Sequence, residues 1–292
     1  MPLGVVDVGS NTVRLVVARG GEPIYSERQP LRLGESIERY GAIPDTKLAE
    51  TSACVADLAD AAHAHGAVQL EVLITSPGRQ AANGVDLLEA VAAAARCPAR
   101  ILSAQEEGRL AFVGALGATG GSGRKPTAVV DVGGGSAQVV VGTRVGGPTW
   151  IRSIDLGSLR LTSRCLSGDP PGADALEDAR AEVERALVGF DPPEARTAFA
   201  VGGTARALRR LVGATLGPDE LAEGVRMAAS TPMDDLMEDY GLRPHRVKTV
   251  TAGALIVAAL QERLGLPLKV VRAGLREGAL SELNARVLAA AA

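Results

Sequence analysis

Ala128-Val129-Val130-Asp131-Val132-Gly133-Gly134-Gly135-Ser136 is an apolar run broken by one carboxylate and closed by four small residues. Such a run, bounded by glycines, predicts a buried strand that ends in a tight polar turn. The same plan stands near the N-terminus as Leu3-Gly4-Val5-Val6-Asp7-Val8-Gly9-Ser10-Asn11. A second apolar stretch follows each turn at once, Thr12 to Ala18 in the first copy and Ala137 to Val141 in the second. The copies are spaced by nearly half of the 292 residues, so they predict two versions of one fold rather than a solenoid.

Outward from these hairpins, the first half continues with a third strand over Tyr25 to Leu33 and an amphipathic helix over Thr46 to Ala64. A strand over Leu70 to Thr75, a helix over Gly84 to Ala95, a strand over Ala99 to Leu102 and a helix over Ala104 to Gly117 follow. Gly117-Ala118-Thr119-Gly120-Gly121-Ser122-Gly123 has the composition of a flexible linker. The second half repeats the hairpin, adds a strand over Thr149 to Ile154 and then becomes mainly helical. Strands are expected over Ala198 to Val201 and Leu268 to Val271, with helices over Lys248 to Leu264 and from Leu275 onward. This is an α/β pattern in a chain long enough for two cores.

Composition narrows the function. Aromatic residues make up only 2 % of the chain, which argues against DNA or RNA binding through stacked bases. The net charge of −3 gives no global attraction for a polyanion, so any phosphate site must be local. Cys54, Cys97 and Cys165 are scattered and odd in number, as expected of a reducing compartment without a disulfide frame or structural zinc. His63 and His65 stand two apart in a helical stretch and face different directions, so they are not a ligand pair. No basic segment leads into an apolar run at Met1-Pro2-Leu3-Gly4, and no apolar stretch is long enough to span a bilayer. A cytoplasmic protein without membrane contact is expected.

A turn of Gly and Ser between two strands presents several backbone N–H groups on one concave surface, and such a nest accepts phosphate oxygens. An aspartate at the preceding strand end is suited to hold a hydrated Mg²⁺ that bridges to the same phosphates. Two such turns, each behind Val-Asp-Val, make Gly9, Ser10, Asn11 and Gly133, Gly134, Gly135, Ser136 the predicted phosphate-binding residues, with Asp7 and Asp131 as predicted metal ligands. Competing phosphate motifs fail. There is no G-x-x-x-x-G-K-[ST], and the Gly133–Gly135 run leads into a strand where a dinucleotide fingerprint must open a helix. Glu106 and Glu107 stand at a predicted helix start, where acidic residues are favoured by the dipole whether or not they have another role.

Five segments in chain order carry a further signal: Asp7-Val8-Gly9-Ser10-Asn11 with Arg14, Arg79-Gln80-Ala81-Ala82-Asn83, Glu106-Glu107-Gly108-Arg109-Leu110, Asp131 to Ser136, and Leu275-Arg276-Glu277-Gly278. Together they resemble the exopolyphosphatase and guanosine-pentaphosphate phosphohydrolase family, in its short two-domain form. The resemblance implies two actin-like (ribonuclease H-like) domains with a cleft between them. Residues 1–122 and 123–276 would form the two domains, and the helix over 277–292 would return to the first.

The resemblance also implies that Glu107 is the catalytic base, that Arg14 and Arg79 join the phosphate-binding set, and that Mg²⁺ or Mn²⁺ is the cofactor. Inorganic polyphosphate or guanosine pentaphosphate would be the substrate, and a homodimer is compatible with it. Metal-assisted in-line transfer of the terminal phosphate to water is the reaction expected. Arg109 is a further candidate for neutralising substrate charge, and Gly202-Gly203-Thr204, ahead of Arg206, could receive a phosphate or a nucleoside, or cap its helix.

Two departures from the family pattern bear on the site. The second loop continues as Ser136-Ala137-Gln138 where many members carry Glu in place of the Gln, so Gln138 is a metal-ligand candidate lacking the family's charge. Thr75-Ser76-Pro77-Gly78 replaces the usual Ala-Thr-Ser-Ala ahead of Arg79 and must reshape that turn. The rival readings are a small-molecule kinase and a non-catalytic sensor of polyphosphate or a guanosine alarmone.

Overall fold

The computed structural model describes residues 1–119 and 123–291. The middle of the predicted linker, Gly120 to Ser122, lies outside the described residues. The first half runs β1 (Pro2–Val8), β2 (Val13–Arg19), β3 (Glu22–Gln29), α1 (Leu33–Tyr40), α2 (Asp45–Ala64), β4 (Gln69–Ile74), α3 (Ser76–Gln80), α4 (Gly84–Ala95), β5 (Ala99–Ile101) and α5 (Ala104–Gly117). The second half runs β6 (Thr127–Val132), β7 (Ala137–Thr143), β8 (Gly147–Ile154), α6 (Ser158–Cys165), α7 (Ala173–Ala186), β9 (Thr197–Val201) and α8 (Gly202–Val212). It ends with β10 (Thr215–Leu216), α9 (Pro218–Ser230), α10 (Met233–Tyr240), α11 (Pro244–Leu264), β11 (Leu268–Val270) and α12 (Leu275–Ala291).

The repeat in the sequence is a repeat in topology. The first sheet has the order β3-β2-β1-β4-β5 and the second β10-β11-β9-β6-β7-β8. In each, an antiparallel meander is joined through its first strand to parallel neighbours, β1 to β4 and β6 to β9. β1 and β6 are central strands covered on both faces, which is why their sequences are continuous rather than alternating hydrophobes. The edge strand β3 reads Glu-Pro-Ile-Tyr-Ser-Glu-Arg-Gln and is mostly exposed or half-buried, and its charges suit an edge.

Helix α5 sits between the sheets. Ser103 caps it through a capping box with Glu106, which satisfies free N–H groups of the first turn. One side, through Leu110, joins a core with Leu3, Val5, Val16 and the α12 residues Leu275, Ala279, Leu280 and Leu283. The other side, through Ala111, Phe112, Ala115 and Leu116, packs on Val129, Val140 and Val201 of the second sheet. Thus α12, the last element of the chain, lies against β1 and α5. The two helices approach closely at Gly114 and Gly278: a Cβ on either would collide with the other helix's backbone. Among the described residues no helix is long and apolar enough to cross a membrane.

Two helices that the sequence reading did not anticipate matter for the site. α1 follows β3, and its Glu38 pairs with Arg160 Nε at 2.6 Å and Arg164 Nε at 2.8 Å on α6 of the other half. α3 forms at Ser76-Pro77-Gly78-Arg79-Gln80, where Pro77 occupies the first turn, a position that tolerates its missing N–H. The Pro and Gly that set this turn apart from the family pattern therefore start a helix carrying Arg79.

Candidate active site

The two predicted turns have the same backbone. Gly9 N–H donates to Thr12 O at 3.1 Å, and Gly133 N–H donates to Ser136 O at 2.9 Å. Each turn aims carbonyls at the helix that follows its meander: Ser10 O accepts from Gly34 of α1, and Gly133 O and Gly134 O accept from Ser158 and Leu159 of α6. Among the described residues no backbone hydrogen bond uses the N–H of Ser10, Asn11, Gly134 or Gly135. The two nests face each other closely, with Gly134 against Ser10 and Asn11.

Between them lies a cavity of about 100 Å³ lined by Asp7, Gly9, Ser10, Asn11, Arg14, Glu107, Asp131, Gly133 and Gly134. Arg206 and Arg246 of the second half, Arg276 of α12 and the α8 N-terminus at Gly202 and Gly203 complete the wall. Most of the predicted set is thereby brought together. Gly202 has φ +84°, and a Cβ there would strike the Asp131 carboxylate, so glycine is required for strand β9 to turn into α8 beside that aspartate.

Other predicted residues stand behind the wall. Arg79 pairs with Glu107 Oε2 through Nη2 at 2.7 Å and donates to Leu102 O through Nη1 at 2.8 Å. Gly135 and Ser136 are buried outside the cavity lining, Gly135 with its carbonyl accepting from Gln80, and Gln138 is 1 % exposed with its amide donated to Ser136 Oγ and Ser153 Oγ, so none of the three reaches the cavity. Asn83 holds the Ile43 backbone through both of its amide atoms, and Arg109 is paired with Glu282 of α12. Neither is a cavity residue.

The two helix-start glutamates divide their roles. Glu106 caps α5 and pairs with Arg100. Glu107, one residue on, points inward and is buried. Burial pushes its pKa up to about 7; Arg79 opposes the shift, and the charges of Asp131 and Asp7 add to it. Burial likewise raises Asp131 to about 6 against the pull of Arg276 and Arg206. Asp7 is raised by burial although Arg276 Nη1 lies 2.9 Å from its Oδ2.

The sequence reading found only part of the cationic wall. Burial, followed by the repulsion of neighbouring arginines, lowers Arg14 to about 8, Arg246 to about 9 and Arg206 to about 10. Arg28 joins them from β3, and further cavities at the mouth are lined by Arg28, Arg206, Arg210, Arg243 and Arg246 and by Arg14, Arg206, Arg209, Arg210 and Arg272. Among the described residues Arg14, Arg28, Arg206, Arg209, Arg210, Arg243, Arg246 and Arg272 have no carboxylate within ion-pair distance. The Nε atoms of Arg14, Arg28 and Arg276 and the Nε2 of His245 are buried without a hydrogen-bond partner. Buried arginine donors without a protein partner suit water or an anion. Arg14, the Arg276 segment and the Gly202-Gly203-Thr204 turn ahead of Arg206 carried a signal in the sequence; Arg28 and Arg246 have none.

For a divalent cation the donor set is small. Among the described residues no group of three His, Cys, Asp or Glu is arranged to hold a metal. Asp131 and Asp7 both line the cavity and fit Mg²⁺ in its usual mode of one or two carboxylates completed by water and substrate phosphates.

The sequence model of the Ppx/GppA phosphatase family matches residues 13–286. The chain belongs to this family. It is 31 % identical over 302 residues to Exopolyphosphatase 1 of Mycobacterium bovis, covering 95 % of this chain and 87 % of that protein. Identity to Exopolyphosphatase 2 of Mycobacterium tuberculosis is 29 % over 295 residues, 90 % of each chain. The fold matches the Aquifex aeolicus Ppx/GppA protein with a TM-score of 0.79 at 23 % identity, covering 98 % of both chains. An exopolyphosphatase-like protein matches with a TM-score of 0.89 at 22 % identity over 98 % of this chain and all of that one. The two α/β domains are thus the actin-like pair of the Ppx/GppA family, with the cavity in the cleft between them.

Proposed function

We propose that the protein is an exopolyphosphatase that hydrolyses the terminal phosphate of inorganic polyphosphate with the help of a divalent cation. The observation that carries this reading is the set of unpaired arginines converging on a cavity that also holds one buried, proton-binding glutamate. A net-negative chain concentrates uncompensated positive charge at one mouth, which suits a substrate with several negative charges in a row.

In this reading the free N–H groups of Ser10, Asn11 and Gly134 grip the terminal phosphates, and Arg14, Arg206, Arg246 and Arg276 neutralise them. Glu107 takes the proton of the attacking water as the new P–O bond forms, and the bridging P–O bond breaks with its electron pair leaving on the shortened chain. A pKa near neutrality suits a base that must be ionised before the step and protonated after it. Asp131 and Asp7 would hold Mg²⁺ or Mn²⁺, which when bound would neutralise charge on the phosphate oxygens. Guanosine pentaphosphate is the second substrate to test. The Arg28–Arg243 cavity at the mouth has no aromatic or broad apolar wall for a base, which favours inorganic chains.

The test is phosphate release from long-chain polyphosphate, tripolyphosphate, guanosine pentaphosphate and ATP, with and without Mg²⁺ or Mn²⁺. Cation-dependent release from polyphosphate alone is expected. Phosphate transfer from ATP to an acceptor without hydrolysis would instead make the protein a kinase, and binding without release would make it a sensor.

A further inference from the structure

Behind the cavity a row of side chains runs from one sheet to the candidate base. Ser153 on β8 lies opposite Gln138 on β7 in the sheet register. Gln138 Nε2 donates to Ser153 Oγ at 3.2 Å and to Ser136 Oγ at 2.9 Å. Arg79 Nη2 reaches Ser136 Oγ at 3.4 Å and Glu107 Oε2 at 2.7 Å. An amide nitrogen has two protons to donate, and both are used here. The Ser136 hydroxyl oxygen has two lone pairs, one toward Gln138 and one toward Arg79. Helix α5 closes over the row, since a Cβ at Gly108 would lie 3.5 Å from Gln138 Cβ.

The geometry points to Gln138 as a positioning residue: it fixes the Ser136 hydroxyl, which together with the Leu102 carbonyl fixes Arg79, and Arg79 aims the Glu107 carboxylate into the cavity. This rests on the reading of Glu107 as the base. It assigns the position a part that a metal ligand would not have, and it accounts for a neutral amide there. A carboxylate at 138 would be a second negative group within reach of Arg79 and would compete with Glu107 for it. With Gln138, the charge of Arg79 goes to Glu107 alone. The charged groups facing Glu107 are then Arg79 from α3, Asp131 from β6 and Asp7 from β1.

Gln138→Met keeps the side-chain length and removes both donors. Its crystal structure is expected to show Arg79 withdrawn from Glu107. Its kcat should fall about tenfold, the loss of roughly one hydrogen bond to a charged group, with KM and the Mg²⁺ concentration for half-maximal rate unchanged. Ser136→Ala breaks the same row at its middle with little change in volume and should displace Arg79 in the same way. Gln138→Glu should move the acid limb of the kcat profile up by about one pH unit, because two carboxylates then share one arginine.

Arg79 unmoved in both the Met and Ala variants overturns the proposal whatever the rates. A Gln138→Glu form that needs less Mg²⁺ and keeps the acid limb in place overturns it too, in favour of metal ligation. Near-normal turnover in Glu107→Gln would remove the base reading instead, while the position of Arg79 in the crystal structures would still decide the row.

Discussion

The two hairpins at the cleft, β1–β2 and β6–β7, share a backbone and differ in charge. In each, an aspartate faces a residue on the second strand: Asp7 is registered with Arg14, and Asp131 with Gln138. The first pair lies in the cavity, where Asp7 is also tied to Arg276 and Arg14 adds to the cationic wall. In the second, Gln138 turns away from the cavity to brace Ser136, and among the described residues Asp131 has no arginine within ion-pair distance. The repeat thus presents two nests and two carboxylates that differ at one strand position. The first hairpin sets an arginine beside its carboxylate, and the second sets a neutral amide there.

The largest effect should come from the residue that belongs to neither hairpin. Glu107→Gln is expected to lower kcat by about 10² to 10⁴ with little change in KM, measured by steady-state phosphate release. Retained turnover would move the base onto one of the hairpins and end the symmetry of the comparison.

Next come the two aspartates, which should behave differently. Asp7→Asn leaves the mostly buried Arg276 without its partner and should destabilise the protein by about 3 kcal/mol in denaturant unfolding. Asp131→Asn breaks no ion pair and should raise the Mg²⁺ concentration for half-maximal rate by about tenfold or more without that loss of stability. Equal losses of stability in the two variants would break the distinction.

Arg14→Gln, which makes the first hairpin resemble the second, should raise KM for polyphosphate by about tenfold and flatten its dependence on salt. A KM that does not move would place the substrate charge elsewhere along the arginine mouth.

The last effect concerns pH. Glu107 and Asp131 both have folded pKa values raised above the ordinary carboxylate range, so the folded state binds their protons more tightly than the unfolded chain does. Their contribution to stability is therefore full below about pH 4 and declines as pH rises toward 7. Thermal unfolding of the ligand-free protein across this range checks the sign, and Glu107→Gln should flatten part of the slope.

Much of this was legible before the chain was folded. Val-Asp-Val followed by a Gly turn, twice, marks both hairpins, because burial on two faces demands continuous hydrophobes and the turn demands small residues. The bounds of α4 and α5 follow from local periodicity and capping and lie where the sequence places them, at Gly84–Ala95 and Ala104–Gly117. α1 and α3 were not legible, since eight and five residues carry too short a pattern, and Pro77 with Gly78 suggested a turn.

The amino-acid sequence by itself determined the repeat, the fold class, the two nests and the aspartates that precede them, all of which are encoded within about ten neighbouring residues. Only the tertiary structure decided which charges meet. Arg14 and Arg28 on the first sheet, Arg206 on α8, Arg246 on α11 and Arg276 on α12 are separated by up to most of the chain and carry no common local pattern. Strand pairing and the return of α12 bring them to one cleft. The same holds for Glu106 and Glu107, identical in type and adjacent in sequence. The helical turn of about 100° per residue sends one to its cap and the other into the buried cavity, and desolvation there makes the second a different acid.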